Sequence, residues 1–66
     1  MTNTLKVERA IKDFTQQQLA ELVGVSRQTI NAIEKGKYTP STTLSLKLAR
    51  VFGKHVDEFF MLEEED

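Results

Sequence analysis

The chain has no cysteine, which excludes a disulfide framework and a thiolate metal site and fits a reducing cytoplasm. It has one histidine, His55, with no second histidine nearby, so neither a metal nor any other cofactor has candidate ligands. No serine stands in a nucleophile-elbow context and no glycine loop is built to cradle phosphate, so an enzyme is not expected. No apolar run approaches the roughly 18 residues of a membrane span, and the N-terminus lacks the charged and apolar regions of a signal peptide. A soluble, cytoplasmic protein with no membrane contact is expected. At 66 residues the chain is one domain. A chain that short buries only about 60% of its unfolded surface, so help from dimerisation is expected.

An excess of basic charge is also missing: the formal net charge is -1. The acid, however, is concentrated at the end. Residues 63–66, EEED, carry four of the ten acidic residues, which leaves residues 1–62 with nine basic against six acidic side chains. Within 26–54, Arg27, Lys35, Lys37, Lys47, Arg50 and Lys54 face a single acid, Glu34. That local surplus is the footprint of a surface that attracts polyanions, although a merely solvated face would also carry it.

The chain is organised around residues 16–36, QQQLAELVGVSRQTINAIEKG. Thr15 and Gln18 form a capping box that starts a helix. Leu19, Leu22 and Val23, with Ala20 beside them, give it one apolar stripe of about two turns. Gly24 tolerates positive φ and stops the helix, Val25 plugs the corner, and Ser26 caps a second helix. Ile30 and Ile33 face inward there, while Arg27, Gln28, Asn31 and Lys35 fall on the outer side; Gly36 ends it. Arg, Gln and Asn near a helix start are the side chains that pair with guanine and adenine edges in the major groove. By itself such a face is more simply a polar helix surface. A capped helix, a glycine turn and a second capped helix together match the geometry in which the second helix enters the groove.

The run QQQLAELVGVSRQTINAIEKGKYTPS resembles the helix-turn-helix family of phage repressors, Cro proteins and Xre-type bacterial regulators. The likeness is greatest to its small stand-alone repressors of the cytolysin-repressor type. It covers about Leu5 to Phe60, through Q-x-x-L-A, G-V-S-R-Q-T-I and E-K-G-x-x-x-P-S in the family's order and spacing. It implies an all-α, five-helix lambda-repressor-like domain over 1–62, with the acidic tail at 63–66. Short terminal β segments at a dimer interface occur in some relatives. By matching positions, Arg27, Gln28, Asn31 and Thr29 are the expected base contacts, with Ala32 in reach. Gln16, Ser26, Lys35, Lys37, Tyr38 and Thr39 are the expected phosphate contacts. Arg9 and Glu34 match a structural ion pair.

The remaining segments are read more coarsely. Met1 to Thr4 is expected to be either disordered or a short extended segment. Leu5 to Asp13 reads as the first helix, with Leu5, Val7 and Ile11 as its apolar points and Thr4 or Asn3 as its cap. Its pattern is weak, since Glu8 stands where the family has an apolar residue and Asp13 where Gly or Asn closes the helix. Phe14 is the expected core anchor after it. Pro40 and Ser41 start a fourth helix whose stripe is Leu44, Leu48, Val51 and Phe52, with Ala49 as a small contact and Gly53 as the stop. Thr42 takes a place where the family often has Leu. Residues 55–59 suggest a last short helix with Asp57 and Glu58 in its first turn. Phe60 is expected to close the core, leaving Phe59, Met61 or Leu62 for a dimer partner; the plainer alternative is that all four pack locally. EEED reads as a flexible, solvated tail, or else as a charge that competes for the basic face.

Two functions follow from this reading. The first is a sequence-specific transcriptional regulator, more a repressor than an activator because no second domain is present. It would bind a near-palindromic operator on double-stranded DNA as a homodimer, with its third helix in the major groove, in the nucleoid of the cytoplasm. The second is an antitoxin or other interaction module that uses the same fold to hold a protein partner. The polar outer face of the third helix, which such a module does not need, favours the first.

Overall fold

The computed structural model describes residues 1–66. Four α-helices, α1 (Leu5–Ile11), α2 (Gln16–Val23), α3 (Arg27–Glu34) and α4 (Thr42–Phe52), are followed by one 3-10 turn at Val56–Glu58. Two short strands, β1 (Thr2–Asn3) and β2 (Phe60–Met61), pair antiparallel with Thr2 opposite Met61 and Asn3 opposite Phe60. The expectation of five helices in an all-α fold is therefore corrected. The last segment makes a single tight turn, because the chain must leave it at Phe59 to reach the β1 edge. The two terminal strands pair with each other within the chain.

Helix boundaries follow local chemistry. The Thr15 hydroxyl accepts from Gln18 N–H at 3.0 Å while the Gln18 side chain accepts from Thr15 N–H at 2.8 Å, so both orphan donors are satisfied. Gly24 stops α2 at φ +75°, a left-handed conformation in which a Cβ would add strain. Asp13 adopts φ +59° at the end of α1, the place of the family's Gly or Asn, and a short polar side chain tolerates that region better than most. Ser26 and Ser41 cap α3 and α4 by accepting from Thr29 and Leu44 N–H. Asn3 does the same for α1, accepting from Leu5 N–H at 3.0 Å and donating to the Ile33 carbonyl at 2.8 Å, which ties the start of α1 to the end of α3.

The core is one cluster drawn from every helix: Leu5, Leu19, Ala20, Val23, Ile30, Ile33, Leu44, Leu48 and Phe52, closed by Phe59 and Phe60. Phe14, Val25, Ala49 and Val51 pack against it while partly exposed. Three sequence expectations change here. Val7 and Ile11 are exposed, so α1 buries Leu5 and Glu8 instead, and Glu8 is held by Lys54 Nζ at 3.0 Å. Leu22 is exposed, so the α2 stripe is Leu19, Ala20 and Val23. Phe59 is fully buried and is removed from the dimer surface. It stacks edge-on against Phe52 at 5.3 Å, and its carbonyl accepts from Thr4 N–H at 2.9 Å. The bend between turn and strand at Phe59 breaks strand alternation, and so consecutive residues 59 and 60 both point inward.

Nor is the acidic end free. The Met1 ammonium lies 2.9 Å from Glu63 Oε1 and 2.8 Å from Asp66 Oδ2, and Asp66 also accepts from Glu63 N–H at 2.8 Å. Asp66 and then Glu63 raise the ammonium pKa above its ordinary value, while the Glu63 N–H and then the ammonium lower that of Asp66.

Candidate nucleic-acid interface

α2 and α3 form the most extensive helix pair in the molecule, joined by Gly24, Val25 and Ser26. Ile30 and Ile33 anchor α3 from within and leave its other side to solvent. Arg27 and Gln28, in the first turn, are exposed and make no hydrogen bond or ion pair in the chain, so their full donor and acceptor capacity faces outward. Asn31 lies one turn further along the Arg27 face and is half-buried. Thr29 is half-buried too, its hydroxyl 3.0 Å from that of Ser26. The Ser26 hydroxyl is thus engaged twice, by the Thr29 side chain and as the cap of α3.

Beneath Asn31 runs a chain of polar contacts. Arg9 Nε donates to Glu34 Oε2 at 2.8 Å, with a second, longer contact of 3.4 Å from Nη2 to Oε1. Arg9 also donates to the Phe14 carbonyl at 2.9 Å. Gln16 Nε2 then donates to Glu34 Oε1 at 3.1 Å and to Asn31 Oδ1 at 3.2 Å. Both protons of the Gln16 amide are directed to these two acceptors in the free chain.

The other candidates divide between two sides. Tyr38 and Thr29 share a groove with Thr43 and Lys47 of α4, next to the turn at Gly24 and Val25. Thr39 opens onto a different, more apolar groove with Pro40, Leu46, Val56 and Phe60. Lys35 borders a depression that it shares with Met1 and Glu63, so one cation of this region sits beside the acidic end. Lys37 is exposed and unpaired. Sequence reasoning counted Lys47 in the basic surplus without placing it at the site and passed over Thr43, whose signal was there: the two stand at i and i+4, beside the Leu44 and Leu48 stripe, on a helix with a clear start at Ser41. No cluster of side chains is arranged to hold a metal ion, and no helix is long and apolar enough to cross a membrane.

A tight turn between two capped helices, the second bearing unpaired Arg and Gln, defines a helix-turn-helix domain. A family model described as helix-turn-helix matches residues 5–59, and the chain belongs to that family. An HTH-type transcriptional regulator of Methanocaldococcus jannaschii is 50% identical over 66 residues, covering the whole of both chains. Another, YgzD of Bacillus subtilis, is 47% identical, again over the whole of both. Among solved structures, the restriction-modification controller protein C.AhdI of Aeromonas hydrophila superposes with a TM-score of 0.76 at 32% identity, over 85% of each chain. The clp gene regulator ClgR of Corynebacterium glutamicum gives a TM-score of 0.75 at 30% identity, over 82% of this chain and 57% of that one. These relatives are named as regulators and not as enzymes.

Proposed function

We propose that the protein is a transcriptional repressor that binds a near-palindromic operator as a homodimer, with α3 in the major groove. The observation that carries this reading is the outer face of α3, where Arg27 and Gln28 stand exposed and unpaired at the start of a rigidly anchored helix. Arg27 favours guanine and Gln28 adenine. Around them Lys37, Lys47 and Tyr38 supply the charge and hydroxyl that grip the backbone. Gln16 contributes through its main chain: the first N–H groups of α2, at Gln16 and Gln17, have no partner in the chain and suit a phosphate.

Dimerisation follows from what remains exposed near the C-terminus. Met61 and Leu62 are solvent-facing, and Leu46 lies on the open apolar groove with Val56 and Phe60. A two-fold dimer built on that side presents two α3 helices about 34 Å apart, one turn of the duplex. Occupancy of the operator is the means of control, in the cytoplasm where the nucleoid lies. A protein partner of the antitoxin kind would compete for the same apolar groove.

Selection from random DNA pools at about 0.1 M salt, where non-specific attraction is screened, tests the proposal. Enrichment of a palindrome that is lost in Arg27→Ala or Gln28→Ala supports it. Absence of any enriched sequence overturns it and turns attention to a protein ligand for Leu46, Met61 and Leu62.

A further inference from the structure

We infer that Gln16 is a positioning residue that fixes the polarity of the Asn31 amide, so that Asn31 presents its NH2 and reads the keto edge of guanine or thymine in preference to adenine. The inference rests on the DNA-reading function proposed above.

The argument runs inward to outward. Glu34, held by Arg9 and nearly buried, offers only acceptors. The Gln16 atom that faces it at 3.1 Å must then be the NH2 group, whichever way an isolated amide would be placed. That same NH2 lies 3.2 Å from Asn31, and only the carbonyl oxygen of Asn31 can accept from it. The polarity of one ion pair is handed through two amides: the Asn31 oxygen is held toward Gln16 with one of its two lone pairs taken, and its NH2 is the end left without a partner. A side-chain amide recognises adenine by accepting from N6 and donating to N7 together, which needs both of its ends. With its oxygen held toward Gln16, Asn31 offers its NH2 to a base more readily than both ends side by side. Guanine presents N7 and O6 as adjacent acceptors and thymine presents O4, whereas cytosine presents a donor.

The test joins two readouts. In the free protein, nitrogen-15 NMR of the side-chain amides should show slow exchange and hydrogen-bonded shifts for Gln16 and a freely exchanging NH2 for Asn31. In DNA selection, Asn31→Ala identifies the operator position that Asn31 reads, and the full chain should show guanine or thymine there. Gln16→Ala, checked by its melting curve for intact folding, frees the Asn31 oxygen. Adenine should then gain about tenfold at that position, near the low end of what one amide–base pair discriminates, with other positions unchanged. An adenine preference at that position in the unaltered chain, or no change on Gln16→Ala, overturns the inference. So do Gln16 amide protons that exchange freely, while the wider function survives. Protected Gln16 protons with no enriched sequence at all overturn the DNA-reading function and this inference with it.

Discussion

Arg9 Nε lies 2.8 Å from Glu34 Oε2, and the same guanidinium holds the Phe14 carbonyl, so one side chain ties α1 to the end of α3 and to the start of the segment leading into α2. The Glu34 side chain is only 6% exposed. Removing its charge leaves the Arg9 guanidinium without its partner, a change that costs about 3 kcal/mol. Glu34→Gln should therefore melt at a markedly lower temperature as well as bind DNA less tightly. Lost affinity with an unchanged melting curve would contradict a structural role for the pair.

Glu8 and Lys54 form the second internal ion pair, and its two members are unequal. Glu8 is buried, whereas the Lys54 side chain is 38% exposed and able to turn into water. Lys54→Ala strands a buried carboxylate and should cost about 1–3 kcal/mol. Glu8→Leu restores the apolar residue usual at that place and leaves a lysine that solvent can accept, so it should be neutral or stabilising. Denaturant melts of the two variants should differ in sign or at least widely in size; equal destabilisation would show that both ends of the pair are equally dry.

Phe59 shows where sequence reasoning stops. The α2–α3 unit was legible because its signals are local: a capping box, a glycine stop, a serine cap and a stripe at helical spacing. The fate of four consecutive apolar residues at 59–62 is decided by contacts far along the chain, with Thr4 N–H and with the Phe52 ring, and no local rule ranks Phe59 against Phe60. Glu8 was illegible for the same reason, since its counter-ion lies 46 residues away. The outward face of α3 could be read from spacing, but the engagement of Asn31 by Gln16 could not, because it depends on the angle between α2 and α3.

Burial of Phe59 makes a prediction opposite to that for Leu62. Phe59→Ala should cost about 3–5 kcal/mol, enough to unfold much of so small a domain near room temperature. Leu62, 80% exposed, should be replaceable by serine with no loss of monomer stability. Sedimentation of Leu62→Ser should show a weaker dimer. A dimer unaffected by both Leu62→Ser and Leu46→Ser would place the interface elsewhere.

The contact between the Met1 ammonium and Asp66 gives the C-terminal turn a pH window. The ammonium pKa is raised above its ordinary 8.0, so its contribution is complete below pH 8 and fades as pH climbs through the raised value. The Asp66 pKa is lowered from 3.8, so its contribution is complete above that value and fades as pH falls through the depressed one. Both groups face water, and the effect on melting should be small. Amide shifts of residues 63–66 should hold steady between these limits and move outside them. A tail that titrates at ordinary values, with no response near Met1, would mean that it is not clamped.

Charge on the DNA-facing side separates gripping from reading. Lys47 shares the Tyr38 groove and, like Arg27, enters none of the ion pairs of the fold. If it neutralises one phosphate, Lys47→Ala should weaken binding to all sequences alike and reduce the slope of log affinity against log salt by about 1. Arg27→Ala should act differently, costing about 1–3 kcal/mol at the preferred operator and little on random DNA, so that discrimination is lost at one base position. Competition binding at several salt concentrations distinguishes the two. A Lys47→Ala variant that changes base preference, or an Arg27→Ala variant that weakens all sequences equally, would require the groups to exchange places, with α3 lying along the backbone and α4 nearer the bases.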